Sequence, residues 1–306
     1  MNDLIEGVDV SLKGRVAIVT GAGGGLGRSH AMLLAKLGAK VVVSDVNREA
    51  AERVAGEIVN AGGEAMGLAA SVTDEAAVAD MVAATMAAWS RIDILVNNAG
   101  ILRDRTFAKM TIAEFREVLD VHLIGAVICT KAVWEIMREQ RHGRVVMTTS
   151  SSGLYGNFGQ SNYGAAKMAL VGLMQTLSLE GEKYGIRVNC LAPTAATAMT
   201  NGLLNEDALA RLSPDAVSPG LLALVGDDAP TRAILCAGAG HFASANITLT
   251  QGIHLGSGEE AASSVVANWD RVSDRTNEIV PEYGFTQMER ELASGPAVAV
   301  PVAARG

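Results

Sequence analysis

The chain has 306 residues, of which 49% are hydrophobic and 19% charged, and its formal net charge at pH 7 is -8. This length and apolar content suffice for one large globular domain with its own core. The acidic balance argues against nucleic acid as a main partner, because a protein that binds a phosphate backbone needs a basic surface. The sequence shows neither the pattern of a signal peptide nor a run of eighteen apolar residues that could span a bilayer. We therefore expect a soluble, cytoplasmic protein that does not act at a membrane.

Short apolar runs alternate with helical stretches along most of the chain. Strands are predicted at 15–20, 40–44, 64–70, 92–97, 143–149, 186–192 and near 246–250. Helices are predicted at 25–37, 48–61, 74–89, across 111–140 and at 162–184. Such alternation is typical of parallel βαβ units. The fold class is therefore α/β, with a Rossmann-type doubly wound sheet of seven parallel strands and helices on both faces.

The alternating pattern fades after residue 256. One amphipathic helix is predicted around 262–275, and the segment from Gly295 onward is predicted to be mobile, because chain ends without packing partners are poorly ordered. We accordingly predict one domain over residues 1–256 and a C-terminal extension over 257–306 with one short helix.

A glycine-rich turn follows the first predicted strand and opens the first predicted helix. Residues 20–27 read TGAGGGLG, and Gly21, Gly25, Leu26 and Gly27 are the candidate nucleotide contacts. A helix N-terminus offers free N–H groups and the positive end of a dipole to a pyrophosphate. Glycines alone also serve ordinary tight turns, but the strand–turn–helix context indicates nucleotide binding.

Asp45 ends the second predicted strand, where an acidic side chain can accept hydrogen bonds from the ribose hydroxyls of an adenosine. The same carboxylate would repel the 2′-phosphate of NADP. Residues 22–24 carry no Lys or Arg, although Arg28 and Arg48 lie close in sequence. The sequence therefore predicts NAD as the cofactor.

Tyr163 and Lys167 stand four residues apart on a predicted helix, so their side chains share one face. An adjacent ammonium favours a phenolate, whereas a free tyrosine titrates near pH ~10. Ser150 follows the apolar run at 144–149 and so lies at the carboxyl end of a strand, where open α/β sheets bind their ligands. The YxxxK spacing is common by chance on solvated helices, but in this company Ser150, Tyr163 and Lys167 are candidate catalytic residues.

The three cysteines, Cys129, Cys190 and Cys236, are odd in number, widely spaced and set among apolar residues. This pattern is typical of reduced core thiols and predicts neither a disulfide nor a metal site.

These motifs, together with the NNAG run at residues 97–100, resemble the short-chain dehydrogenase/reductase family over residues 12 to about 256. The resemblance implies that Tyr163 is the general acid/base, that Ser150 donates a hydrogen bond to the substrate oxygen, and that Lys167 holds the nicotinamide ribose and lowers the pKa of Tyr163. The implied cofactor contacts are Tyr163 and Lys167, Val72, Asn98 and Gly100 on the adenosine half, and Pro193 and Ala196 near the nicotinamide carboxamide. The family likeness also implies a homodimer or homotetramer built on the helices at 111–140 and 162–184.

A closer likeness lies in residues 97–105 and 152–160, which look like the (3R)-hydroxyacyl-CoA dehydrogenase module of peroxisomal multifunctional enzyme type 2 and its single-domain bacterial relatives. It implies oxidation of a (3R)-hydroxyacyl-CoA to a 3-oxoacyl-CoA, with Met199, Leu203, Leu204 and Leu209 as an apolar lid. The loop after Asp45 is shorter than in that subgroup. A hydroxysteroid or another secondary alcohol is the alternative substrate.

His122 occupies the position where the wider family usually has an asparagine that helps to hold a water near the lysine, and the closer subgroup carries histidine there. A lone histidine on an apolar helix is often a satisfied core residue. We retain it as a candidate catalytic residue with a structural, water-organising or direct acid/base role. A nucleotide-sensing binding protein without turnover is a remote alternative to an enzyme, against which stands the intact set of Ser150, Tyr163 and Lys167.

Overall fold

The computed structural model describes residues 11–196 and 211–295. The chain divides into two compact units, Met1–Ala245 and Asn246–Gly306. The boundary predicted at residue 256 falls within the second unit.

The first unit contains one mixed sheet, and its first six strands lie where the sequence predicts them. They are β1 (Val16–Thr20), β2 (Lys40–Asp45), β3 (Glu64–Ala69), β4 (Ile94–Asn97), β5 (Gly143–Thr148), β6 (Ile186–Thr194), β7 (Ile234–Gly238) and β8 (His241–Ala245). The spatial order is β3-β2-β1-β4-β5-β6-β7-β8. All neighbouring pairs are parallel except β7 and β8, which are antiparallel. This architecture confirms the predicted doubly wound fold.

Helices connect the strands and cover both faces of the sheet. They are α1 (Gly25–Lys36), α2 (Arg48–Asn60), α3 (Glu75–Trp89), α4 (Ile112–Leu119), α5 (Gly125–Gln140), α6 (Ser151–Tyr155), α7 (Ser161–Gly181) and α8 (Ser218–Val225). A π-helical turn at Asp120–Ile124 joins α4 to α5, and short 3₁₀ turns lie at Glu182–Tyr184 and Pro214–Ala216.

The core lies in two layers because successive side chains of a strand point to opposite faces of the sheet. Ala17 and Val19 of β1 pack in the layer that includes α1, α2 and α8. Ile18, between them, packs in the layer that includes α3, α5 and α7. Strands buried on both faces are continuous apolar runs, as in the fully buried β1 and β5.

The topology brings the carboxyl ends of β1 and β4 together at the point where the chain reverses its direction of winding. β1 pairs with β2 on one side and with β4 on the other. In open α/β sheets this switch point is where ligands bind. The glycine turn after β1 and the NNAG run after β4 therefore meet at one edge.

The last strands differ from the sequence prediction. The structure places the seventh strand at Ile234–Gly238 and adds an eighth at His241–Ala245, so the strand predicted near 246–250 is wrong. Leu249 instead forms an isolated antiparallel bridge with Ile279 inside the second unit. A five-residue apolar run such as β7 cannot be distinguished from buried helix by periodicity, and β8 is largely exposed.

The second unit contains three short helices among the described residues, where the sequence analysis predicted one. They are α9 (Glu259–Ala267), α10 (Trp269–Val272) and α11 (Phe285–Ser294). Asn268 separates α9 from α10 within the span predicted as a single helix. The end of the chain, predicted to be mobile, lies outside the described residues apart from Gly295.

None of the helices described is both long enough and apolar enough to cross a bilayer. Within residues 11–196 and 211–295, no cluster of three His, Cys, Asp or Glu side chains could hold a metal ion. The thiols of Cys129 and Cys190 are buried, and burial raises the pKa of each to about 12.

Candidate active site

A cleft of about 520 Å³ lies at the carboxyl ends of the strands. Most of the predicted site residues line it, namely Gly21, Gly25, Leu26, Gly27, Asp45, Asn98, Gly100, His122, Ser150, Tyr163, Lys167 and Pro193. A second cavity of about 540 Å³ is lined by residues of α1, α2 and α8 and by none of these residues. The chemistry-bearing side chains thus converge on one cleft.

The glycine turn is shaped by close backbone contacts. Gly21 has φ +61°, a left-handed conformation that favours glycine, and a Cβ on Gly27 would lie 2.3 Å from the Gly21 carbonyl oxygen. The Asn98 amide donates to the carbonyl oxygens of Thr20 at 2.9 Å and Gly21 at 3.1 Å. Asn98 therefore supports a cofactor site by fixing the turn at the N-terminus of α1.

Asp45 lies against the same turn. Its Oδ2 accepts from the Gly23 amide at 2.9 Å and its Oδ1 from the Asn47 amide at 3.0 Å. A Cβ on Gly23 would lie 2.9 Å from the Asp45 carboxyl carbon, so glycine is required there for this approach. The carboxylate is fixed at the end of β2 with acceptor capacity still available to a ribose.

The nearby arginines have other partners. Arg28 pairs with Glu57, and Arg48 lies 3.6 Å from Glu52. Arg53, which the sequence analysis did not single out, donates to the Gly23 carbonyl oxygen at 2.7 Å. Its position in the second turn of α2, eight residues after Asp45, gives no sequence signal for this contact.

Ser150 is positioned by the end of β5 and by a short helix. It is the N-cap of α6, and its Oγ accepts from the Ser152 amide at 3.2 Å. α6 packs tightly on α7, since a Cβ on Gly153 would lie 2.7 Å from the Cβ of Lys167. This packing brings the Ser150 hydroxyl close enough to Tyr163 to influence the pKa of its phenol.

Lys167 is almost completely buried, with 3% of its surface exposed. Its Nζ donates to the Thr148 carbonyl oxygen at 2.5 Å and lies 5.5 Å from the centre of the Tyr163 ring. Burial lowers the pKa of Lys167 to about 7. The shared face predicted from the i, i+4 spacing is present.

The pKa of Tyr163 is raised, mainly by burial and further by the negative charge of Asp104, while the hydrogen bond with Ser150 acts in the opposite direction. The lowering expected from Lys167 does not dominate in the protein alone. An ammonium with a pKa near neutrality is only partly protonated at pH 7. Lys167 therefore favours the Tyr163 phenolate less than the i, i+4 spacing suggests.

His122 lies in the π-helical turn and is buried. Its Nε2 lies 2.8 Å from the Ile101 carbonyl oxygen and 3.1 Å from the Ile101 amide nitrogen. Its ring meets the Tyr163 ring edge to face, with 5.2 Å between centres. Burial and the charge of Lys167 lower the pKa of His122 to about 3, so the imidazole is neutral at physiological pH.

Two other predicted cofactor contacts, Val72 and Ala196, are not among the residues that line the main cleft. Val72 is buried and packs closely on Gly125, since a Cβ added to Gly125 would lie 2.6 Å from the Val72 side chain. Ala196 donates its backbone N–H to the Leu212 carbonyl oxygen at 2.6 Å, and its neighbour Ala195 lines the cleft. The predicted lid residues between 199 and 209 lie outside the described part of the chain.

Three further polar residues, to which the sequence analysis gave no individual role, also line the cleft. They are Asp104, Asn157 and Gln160. The signal available from sequence was their place in residues 97–105 and 152–160, which flank the cleft. Arg103 and Arg105, which lie beside Asp104 in sequence, form ion pairs with Glu117 and Glu114 at 2.7 Å.

The residues present fit a nicotinamide dinucleotide. In the turn between β1 and α1, Gly21, Gly23 and Gly27 lie so close to neighbouring atoms that larger side chains do not fit. The first turn of α1 contains no acidic residue that would repel a pyrophosphate. Asp45, Tyr163 and Lys167 all line the same cleft.

A model of the short chain dehydrogenase family matches residues 15–208. The chain belongs to this family, whose members are oxidoreductases that act on CH–OH groups with nicotinamide cofactors. The family membership predicted from the motifs is confirmed.

Similar proteins include the peroxisomal hydratase-dehydrogenase-epimerase of Neurospora crassa, 46% identical over 226 residues that cover 74% of this chain and 25% of that protein. The chain thus spans about a quarter of the length of this relative. The structure of full-length peroxisomal multifunctional enzyme type 2 from Drosophila melanogaster matches with a TM-score of 0.78 and 35% identity, over 93% of this chain and 49% of that chain. A 7α-hydroxysteroid dehydrogenase complexed with NADH and 7-oxo glycochenodeoxycholic acid matches with a TM-score of 0.71 and 28% identity, over 76% and 96%.

His122→Asn is expected to keep activity within about a hundredfold of wild type, because a neutral imidazole held by the Ile101 backbone does not supply the proton in the reaction and asparagine offers a donor and an acceptor. The measurement is kcat and KM for alcohol oxidation, with circular dichroism to verify the fold. Gly100→Ala serves as a comparison in which the imidazole is displaced rather than replaced, since the added Cβ would lie 2.2 Å from His122 Cε1. A larger loss in folded His122→Asn would indicate direct proton transfer through the imidazole.

Proposed function

We propose that the protein interconverts a secondary alcohol and a ketone with NAD, using Tyr163 as the general acid/base. The observation that carries the proposal is the convergence of Ser150, Tyr163 and Lys167 on the cleft that also contains the glycine turn and Asp45. A nucleotide-sensing protein without turnover would have no need of this complete set.

The roles of the chain's residues follow from their chemistry. The Ser150 hydroxyl orients the substrate oxygen, and Tyr163 removes the hydroxyl proton in oxidation or donates a proton in reduction. Among the described residues the Lys167 ammonium donates only to the Thr148 carbonyl oxygen. Its other N–H groups are available to bind the cofactor ribose. When bound, oxidised nicotinamide accepts a hydride and brings a positive charge that favours the Tyr163 phenolate. His122 fixes the Ile101 backbone beside Tyr163.

Tyr163→Phe should retain the fold and cofactor binding but lose turnover by about a hundredfold to ten-thousandfold, because only the ionisable oxygen is removed. In the wild type, alcohol oxidation should rise with pH into the alkaline range and ketone reduction should fall, since burial raises the pKa of Tyr163 and each direction needs one protonation state. Steady-state rates in both directions across pH measure this. Residual activity within tenfold of wild type would contradict the assignment.

NAD is the proposed cofactor, supported by the fixed Asp45 carboxylate and by the pairing of Arg28 and Arg48 with Glu57 and Glu52. These ion pairs leave the arginines less able to neutralise a 2′-phosphate. The related hydroxysteroid dehydrogenase was solved with NADH, which is consistent with this choice.

NADP should bind at least about tenfold more weakly than NAD, because a 2′-phosphate near Asp45 meets repulsion of up to several kcal/mol at an effective dielectric near 20. Asp45→Ala should narrow the difference, whereas Asp80→Ala, which removes an exposed acid from α3, should not. Fluorescence titration of both nucleotides measures the dissociation constants. Equal constants in the wild type would show that a cation neutralises the phosphate after all.

The proposed substrate is a (3R)-hydroxyacyl-CoA, oxidised to the 3-oxoacyl-CoA. Its support is the likeness of residues 97–105 and 152–160, several of which line the cleft, to the peroxisomal multifunctional enzymes. The Arg103 and Arg105 ion pairs count against direct phosphate contacts from these two residues. A hydroxysteroid is the second candidate, favoured by the match to the dehydrogenase solved with a bile acid derivative.

The substrate proposal predicts a higher kcat/KM for a 3-hydroxyacyl-CoA than for any free hydroxysteroid, because the pantetheine arm adds contacts at the cleft. Truncating that arm should lower kcat/KM. The measurement is NAD-linked turnover across the thioester, its truncated analogue and a panel of steroid alcohols. If truncation costs nothing, or if a steroid alcohol is turned over better than every thioester, the acyl-CoA assignment is wrong.

We further propose a homodimer or homotetramer that uses α4, α5 and α7. Ile112, Ile124, Met168 and Leu179 are exposed apolar residues on this part of the chain, and exposed apolar surface of this kind often marks an association site. The cytoplasmic location stays a prediction from the sequence; the names of the fungal and fly relatives place those proteins in peroxisomes.

A further inference from the structure

Asp104 lines the cleft at a place where two loops are joined by backbone hydrogen bonds. The Arg105 amide donates to the Gly159 carbonyl oxygen at 2.9 Å, and Arg105 and Gln160 form a parallel bridge. The Asn162 side chain donates to the Arg103 carbonyl oxygen at 3.0 Å. These bonds on both sides of Asp104 fix its backbone relative to α7, which carries Tyr163.

The side chain of Asp104 is oriented by a chain of amides. Asn157 Nδ2 donates to Gln160 Oε1 at 3.1 Å, and Gln160 Nε2 donates to Asp104 Oδ2 at 2.7 Å. The first bond sets which end of the Gln160 amide faces Asp104. Among the described residues, the other carboxylate oxygen, Oδ1, has no hydrogen-bond partner, so an acceptor remains available at the cleft.

Within the part of the chain that the structure describes, no cationic side chain forms an ion pair with this carboxylate. Arg103 and Arg105, on either side of it in sequence, bind Glu117 and Glu114 instead. The charge of Asp104 acts on the catalytic end of the cleft, because it raises the pKa of Tyr163. A negative charge at this place disfavours phosphate or carboxylate groups and favours N–H or O–H donors on a substrate.

We propose that Asp104, oriented by Gln160 and Asn157, is a specificity-determining residue that accepts a hydrogen bond from the amide N–H nearest the thioester of a pantetheine-type substrate. This inference rests on the thioester substrate proposed above and deepens it. In such a substrate the amide follows the thioester sulfur by two methylene groups, so it stays near the reacting end, whereas an unconjugated steroid alcohol carries no N–H group. A charged acceptor matches a single amide donor.

Two small substrates isolate the proposed bond. The N-acetylcysteamine thioester of 3-hydroxybutyrate contains this amide, and the corresponding 2-acetoxyethyl thioester has an ester oxygen in place of the N–H. Wild type should prefer the amide by at least about tenfold in kcat/KM, the size expected for a hydrogen bond to a charged group. Asp104→Ala should lose the preference, and Asp80→Asn, a matched removal of one exposed negative charge, should keep it.

Equal kcat/KM values for the two thioesters in wild type, or a preference that survives Asp104→Ala, would overturn the proposal. A readout independent of substrate is the ultraviolet titration of the Tyr163 phenol, taken as the difference from Tyr163→Phe. Asp104→Asn keeps the side-chain shape and should move this titration to lower pH, with no movement in Asp80→Asn. An unmoved titration would also count against Asp104.

The two readouts separate this proposal from the proposed function. Turnover of a steroid alcohol but of neither thioester would overturn the proposal through its substrate class. If the Tyr163 titration then shifts to lower pH in Asp104→Asn, the error lies in the proposed thioester substrate. If the titration does not shift, the role given to Asp104 is wrong as well.

Discussion

A buried ammonium group at the end of β5 determines the arrangement of the active site. Taking a charge out of water is costly unless it is paired or hydrogen-bonded. Lys167 meets this cost with a short hydrogen bond to the Thr148 carbonyl oxygen, and part of the cost remains as a pKa lowered to about 7. The bond ties α7 to β5 and so fixes Tyr163 relative to Ser150, which follows the same strand.

The net charge at the cleft depends on ion pairs formed by four arginines near it. Arg28, Arg48, Arg103 and Arg105 each bind a glutamate. Asp45 and Asp104 both line the cleft, and neither forms an ion pair with a cation among the described residues. An exposed ion pair adds little to stability. These pairs matter for the charge at the cleft, because each guanidinium lies against a glutamate rather than against Asp45 or Asp104.

Much of the fold was predictable because its signals are local. The strands β1, β2, β3, β5 and β6 and the helices α1, α2, α3 and α7 were predicted to within a few residues, since their apolar periods and glycine or capping signals lie in continuous segments. β7 was missed because five apolar residues do not distinguish strand from helix. The strand predicted at 246–250 failed because pairing depends on which distant segment is adjacent, here Ile279 for Leu249.

The sequence by itself determined the family, the order of the βαβ units, and the presence of Ser150, Tyr163 and Lys167, because motif spacing along a helix or after a strand is a local property. Only the tertiary structure decided that the pKa of Tyr163 is raised, that His122 is neutral and bonded to Ile101, and that Asp104 lines the cleft with a free acceptor. Burial and charge–charge distances set these properties, and both are defined by residues far apart in the chain that come together only when the sheet and its helices have packed.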